Sequence, residues 1–197
     1  MATVQDLIDI KNTIDTLLPE VKAISLIPIC TKLSNIQYRQ YFLEEAGNEH
    51  YKLLSFIASL FPNQTVYDIG THFGGSSVAL SNATNTKIVS YDIVEMKQLN
   101  FLPENVEYKI GDFRLDANVL SSPFIFVDVD PHDGLQERDF HKFFVDSNYK
   151  GIVLWDDIRA NEYMKAWWNN VVESDTVKKV DLTKLGHWSG TGMIVYG

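Results

Sequence analysis

Apolar residues recur at helical spacing over the first 60 positions and thereafter gather into short continuous runs. Over residues 4–18, Ile8, Ile10, Ile14, Leu17 and Leu18 fall at roughly helical intervals, and Pro19, which lacks a backbone donor, is expected to end or interrupt that helix. Residues 49–61 predict a second amphipathic helix with Leu53, Leu54, Ile57 and Leu60 on one side, while 34–42 is a polar and aromatic stretch carrying Tyr38, Arg39 and Tyr41. The pattern then changes to runs rich in β-branched residues: Thr65–Ile69, Lys87–Asp92, Val106–Ile110, 124–128 and Gly151–Trp155. Such runs suit strands buried on both faces of a parallel sheet, with helices between them. A helix is predicted over 162–173. Two last runs, 177–182 and Gly192–Tyr196, are separated by only nine residues, too few for a helical crossover, so they predict an antiparallel pair at the sheet edge. The expectation is one α/β domain over 1–197, with residues 1–60 as a helical cap and 61–197 as a doubly wound, mostly parallel core.

The predicted strands end in carboxylates: Asp68, Asp92, Asp112 just past the third, Asp128, then Asp156 with Asp157. A single strand-terminal aspartate commonly caps the next helix. Five in succession exceed what capping needs, and in an open parallel sheet ligands bind beyond the carboxyl ends of the strands. The first strand also runs into a loop with glycines at 70, 74 and 75 before an apolar helical start, the unit that offers exposed backbone N–H groups to a nucleotide-like ligand. The dinucleotide pattern G-x-G-x-x-G is not met, because Asp68 stands where its first glycine belongs. A carboxylate there repels a pyrophosphate and accommodates a cationic amino-acid moiety.

Composition narrows the partners. Net charge is −9 and the pI about 4.9, which argues against a nucleic-acid acceptor held by a basic surface. No apolar run approaches the length of a membrane span, and the N-terminal residues lack a signal-peptide pattern. Cys30 is the one cysteine, so no internal disulfide forms, which fits a reducing, cytoplasmic compartment.

Taken with their order and spacing, these motifs resemble those of the class I S-adenosylmethionine-dependent methyltransferases from about residue 45 onward. Asp68-Ile69-Gly70-Thr71-His72-Phe73-Gly74-Gly75-Ser76 is similar to the glycine-rich first motif, Tyr91-Asp92 to the acidic end of the second strand, and Gly111-Asp112-Phe113 to the third motif. Phe126-Val127-Asp128-Val129-Asp130 is similar to the fourth and Leu154-Trp155-Asp156-Asp157 to the fifth. The resemblance implies a Rossmann-like fold and S-adenosyl-L-methionine as cofactor. Gly70, Thr71 and Gly74 then belong to the loop that approaches the methionine part, with Asp68 near its ammonium and Ser76 near its carboxylate. Asp92 accepts from the ribose hydroxyls, Asp112 from the adenine amino group, Phe113 flanks the ring, and Asp128 closes the cofactor site.

The same resemblance extends to O-methyltransferases in which Asp128, Asp156 and Asp157 hold Mg²⁺ or Mn²⁺ beside the acceptor hydroxyl. Asp157, where catechol-type enzymes carry an amide, resembles the sugar-modifying branch, including modules of large glycan-synthesising proteins of algal viruses. It implies a small-molecule or glycan acceptor such as a terminal rhamnose, with the chain as a homodimer or a module of a larger protein. His132 is the candidate base, since an unperturbed imidazole titrates near about 6.5, and Asp130 is the next carboxylate in reach. Pro131 separates His132 from the Asp-Gly-Asp-His spacing of the sugar-modifying relatives. Tyr38, Tyr41, Trp155 and Trp188 are candidate stacking faces for a sugar, and residues 187–192 a candidate pocket wall. Rival readings are a catechol-type acceptor, a glycosyltransferase using Asp128-Val129-Asp130 as its D-x-D, and a non-catalytic binding module. An EF-hand beginning at Asp128 fails, because Asp133 occupies the glycine position.

Overall fold

A computed structural model of the protein describes residues 2–197. Five helices precede the first strand: α1 (Val4–Ile8), α2 (Ile10–Lys22), α3 (Ile27–Cys30), α4 (Ile36–Tyr41) and α5 (Gly47–Ser59). Then follow β1 (Thr65–Ile69), α6 (Gly75–Leu80), β2 (Lys87–Asp92), β3 (Val106–Ile110), β4 (Phe124–Val127), α7 (Leu135–Asp146), β5 (Gly151–Trp155), α8 (Glu162–Asn170), β6 (Val177–Asp181) and β7 (Gly192–Tyr196). The strands form one seven-stranded sheet in the order β3-β2-β1-β4-β5-β7-β6. Every neighbouring pair from β3 to β5 is parallel, and β7 lies antiparallel to both β5 and β6. The sheet is thus mostly parallel with antiparallel terminal strands, as the nine-residue gap predicts, and β7 takes the inner place.

The period-2 alternation of strand side chains sorts the core into two layers. Val66, Ile88, Phe124, Phe126, Leu154 and Met193 face α5 and α6, joined by Leu7, Leu17 and Val21 from the N-terminal helices. Tyr67, Ile69, Val89, Ile125, Val127, Val153, Trp155 and Ile194 face α7 and α8, where Phe144, Met164, Trp167 and Trp168 pack. Both faces are covered, which is why the central strands read as continuous apolar runs.

Three boundaries differ from the sequence expectation. The first helical region breaks at Asp9 and not at Pro19: the Thr13 hydroxyl donates to the carbonyls of Asp6 and Asp9, and α2 continues through Pro19 to Lys22. The carbonyl freed by the missing proline N–H belongs to Asp15, an exposed position where water can take it. The polar stretch 34–42 contains a helix, α4, started by the Asn35 side chain accepting from Tyr38 N–H. α8 stops at Asn170, because Lys179 Nζ donates to the carbonyls of Trp168 and Val171 and closes the helix end.

Leu54 on α5 is fully buried between the N-terminal helices and the sheet. Leu54→Ala is expected to cost about 2–5 kcal/mol of unfolding free energy, the range for a buried leucine that leaves a cavity. Urea denaturation checks this, and a loss below about 1 kcal/mol would show that α5 is not packed as described.

Candidate active site

β1 and β4 are neighbours, while the chain leaving β1 through α6 goes to β2 on the other side, so the sheet reverses winding between β1 and β4. That is the crevice where open α/β sheets bind ligands. Asp128 N–H donates to Ile69 C=O at 2.9 Å, which clamps the two strand ends together. Gly70 sits at φ +90°, and a Cβ built there would lie 1.7 Å from the Asp128 carbonyl oxygen. The glycine is required by the protein's own backbone as well as by left-handed geometry. Gly74 at φ +96° then turns the chain into α6.

From this crevice a cavity of about 690 Å³ runs along the carboxyl edge of the sheet. Tyr38, Gly70, His72, Asp92, Asp112 and Phe113 line it, as do His132 and, gathered around its imidazole at the other end, Asp128, Asp130 and Asp157. Asp92 accepts from His72 N–H (2.8 Å) and Val94 N–H (3.2 Å), one on each oxygen, so each keeps a lone pair for a ligand. Asp112 accepts from Arg114 N–H at 3.0 Å and is gripped by its guanidinium, which holds the carboxyl below its usual range. Phe113 packs edge-on against Phe140 beneath the cavity.

Asp68, Thr71, Gly74 and Ser76 lie outside this lining. Asp68 has no accessible surface; burial raises its pKa to about 6, while hydroxyls of Ser90, Ser76 and Thr71 pull it back down. One oxygen, Oδ1, has no hydrogen-bond partner.

At the other end His132 Nε2 lies 3.5 Å from Asp157 Oδ2, 3.6 Å from Asp130 Oδ1 and 3.9 Å from Asp128 Oδ1. The backbone at His132 is left-handed (φ +51°), and Asn161 Nδ2 donates to its carbonyl at 2.9 Å, fixing the turn. Asp157 is also left-handed, at φ +56°, a geometry aspartate tolerates better than most residues. The turn places Asp157 beside His132. Burial and the neighbouring carboxylates hold Asp128 well above the usual carboxylate range, and Asp157 is raised for the same reasons.

Asp156, expected with Asp128 and Asp157 to hold a cation, also faces two histidines. Its Oδ1 is engaged by His187 Nε2 at 3.0 Å and faced by His50 Nδ1 at 3.5 Å. Among the described residues, the group of three metal-ligating side chains whose donor atoms all fall within 4.8 Å of one another is His50, Asp156 and His187. Burial drops His50 to about 4, while Asp156 holds His187 above the ordinary histidine value against its own burial. The sequence singles out His187 only as part of a wall and passes over His50, which reads as one polar position on an amphipathic helix. Of the expected stacking aromatics, Tyr38 lines the cavity and its hydroxyl meets His72 Nδ1 at 2.9 Å. Trp155 does not reach it: as the last residue of β5 it alternates onto the α7–α8 face and is wholly buried.

No family model and no curated sequence matches the chain. Solved structures do resemble it. The SAH-bound methyltransferase PaMTH1 of Podospora anserina matches at TM-score 0.57 and 14% identity, over 94% of this chain and 96% of that one. The O-methyltransferase TomG of Streptomyces achromogenes, in complex with SAM and involved in tomaymycin synthesis, matches at 0.54 and 16%, over 100% and 99%. An O-methyltransferase of Bacillus cereus in complex with SAH matches at 0.52 and 16%, over 99% and 98%. The fold is therefore the Rossmann-like fold shared by these S-adenosylmethionine-dependent methyltransferases.

The buried Asp68 generates a prediction with a definite sign. Its folded pKa, about 6, exceeds the ordinary 3.8, so the native state binds the proton more tightly. That stabilisation is complete below about pH 4 and is lost as pH rises through about 6. Asp68→Asn, which cannot ionise, should therefore gain stability relative to the parent between pH 4 and 7, by at most about 3 kcal/mol. Urea denaturation at the two pH values checks it; a difference that is constant with pH would refute the burial argument.

Proposed function

We propose that the protein is an S-adenosylmethionine-dependent O-methyltransferase acting on a hydroxyl of a sugar or similar polyol. The observation that carries this reading is the single continuous cavity, with a glycine loop and ribose-accepting carboxylate at one end and a histidine among three carboxylates at the other. The first end fits the cofactor's donor pattern: backbone free of Cβ at Gly70, an acceptor with spare lone pairs at Asp92, and an aromatic face at Phe113. Bound there, the cofactor supplies a methyl carbon made electrophilic by its sulfonium.

The chain's own residues then have to orient the acceptor and remove its proton. The acceptor hydroxyl would give up its proton to His132 Nε2 as it takes the methyl group. The products are a methyl ether and S-adenosylhomocysteine. Asp157, Asp130 and Asp128 surround that nitrogen and stabilise the imidazolium as it forms. Asp128 and Asp157 also offer the hard oxygen donors that Mg²⁺ or Mn²⁺ takes, a cation that would acidify the hydroxyl, while Asp156 Oδ1 faces His187 and His50. A polyol is favoured over a catechol because this end is lined by Asp128, Asp130, His132, Gln136 and Asp157, which can satisfy several hydroxyls.

Asp92→Ala should weaken S-adenosylmethionine binding about 10- to 100-fold, since a hydrogen bond to a charged acceptor is worth roughly 1.5–3 kcal/mol. Calorimetry giving wild-type affinity in a folded variant would remove the cofactor assignment. His132→Ala should lower turnover about 10²–10⁴-fold with cofactor affinity nearly unchanged. Near-normal turnover that vanishes with EDTA would transfer proton removal to a cation at the carboxylates.

A further inference from the structure

His50, Asp156 and His187 form a cluster that methyl transfer as proposed above does not use. Neither histidine lines the cavity. Both are largely buried, and they come from separate parts of the chain: α5, and the loop between β6 and β7 that folds over the carboxyl end of β5.

Three features distinguish this cluster from a hydrogen-bonded core histidine pair. The first is spacing. A tetrahedral ion with bonds of about 2.0–2.1 Å sets its donor atoms roughly 3.3–3.4 Å apart, and the His187 Nε2–Asp156 Oδ1 and His50 Nδ1–Asp156 Oδ1 separations of 3.0 and 3.5 Å bracket that edge. The second is an orphaned nitrogen: His50 Nδ1 is buried, aimed at Asp156 and without a hydrogen-bond partner, in a residue only 6% exposed. A buried polar atom left unpaired calls for an explanation, and an absent ion is one of the few that fit. The third is an outer partner. Ser189 Oγ lies 2.6 Å from His187 Nδ1 and holds the ring so that Nε2 faces Asp156, the arrangement that orients metal-bound imidazoles.

We propose that His50 Nδ1, Asp156 Oδ1 and His187 Nε2 bind a divalent transition-metal ion of the zinc class. Two imidazoles and one carboxylate suit Zn²⁺ and its neighbours; Mg²⁺ prefers an all-oxygen shell and would go to Asp128 and Asp157. The ion ties α5 and the β6–β7 loop to the end of β5, and its charge compensates a buried carboxylate.

The test uses full-length protein stripped of metal by chelator and dialysis, then titrated with Zn²⁺ and, separately, Co²⁺. One Zn²⁺ per chain is expected, with a raised Tm, and Co²⁺ should give the intense visible absorption of a low-coordinate site with nitrogen ligands. Ser189→Ala, a mild change away from the donor atoms, should weaken binding about 10- to 100-fold, and His187→Ala should abolish it. Asp128→Asn should leave it intact. Failure of stripped wild-type protein to take up Zn²⁺ stoichiometrically would overturn the proposal. So would binding lost in Asp128→Asn and kept in Ser189→Ala, or the weak Co²⁺ spectrum of an all-oxygen site. None of these readouts depends on S-adenosylmethionine, whose binding is measured apart and tests the methyltransferase reading alone.

Discussion

The closeness of two strand ends governs this site. Asp128 N–H bonds to Ile69 C=O, and the next residue of β1's chain must pass so near the Asp128 carbonyl that no Cβ fits. Everything that follows depends on that contact. Because Gly70 can turn there, the loop to α6 swings back over β2 and leaves the crevice between β1 and β4 open. Because the crevice is open, Asp92 and Phe113 on one side and His132 and Asp157 on the other line the same space. The glycine is commonly read as making room for a ligand; here it first makes room for the fold, and the ligand site is what remains.

A second constraint is the charge that converges on the carboxyl edge. Asp68, Asp128, Asp156 and Asp157 are all partly or wholly withdrawn from water, and each is handled differently. Asp68 is quieted by three hydroxyls, Asp156 by two histidines, and Asp128 and Asp157 face each other across His132 with both carboxyls raised. Such an arrangement is costly for stability and is ordinarily maintained where a reaction needs it. The two adjacent aspartates that follow β5 have different neighbours: Asp157, at a left-handed φ, lies beside His132, and Asp156 beside His187 and His50.

Much of this was legible in the sequence, for reasons that can be named. β1, β2, β3, β5 and β7 stand where the sequence places them, and for the central strands β1, β2 and β5 the reason is that strands buried on both faces tolerate little but apolar residues. The aspartates marking the cavity could be read because they fall at strand ends, whose position the runs define. What could not be read depended on side-chain direction. Asp68, at the end of β1, and Thr71 and Ser76 beyond it are buried and do not line the cavity. Trp155 alternates to the wrong face by a single residue. His50 carries no local signal at all, since its partners lie 106 and 137 positions further along and only the closed fold brings them together.

The placement of β7 has a consequence for how the molecule assembles. β7 follows β6 in the chain but lies inside it, paired to β5 on one side and β6 on the other. β6 therefore has no sheet to join until β7 has docked, and until then β5 presents an open, apolar, unpaired edge. β5, the strand that leads into Asp156 and Asp157, has its outer edge covered by the β6–β7 hairpin, whose inner strand begins only at Gly192. Long-range closure of this kind slows folding.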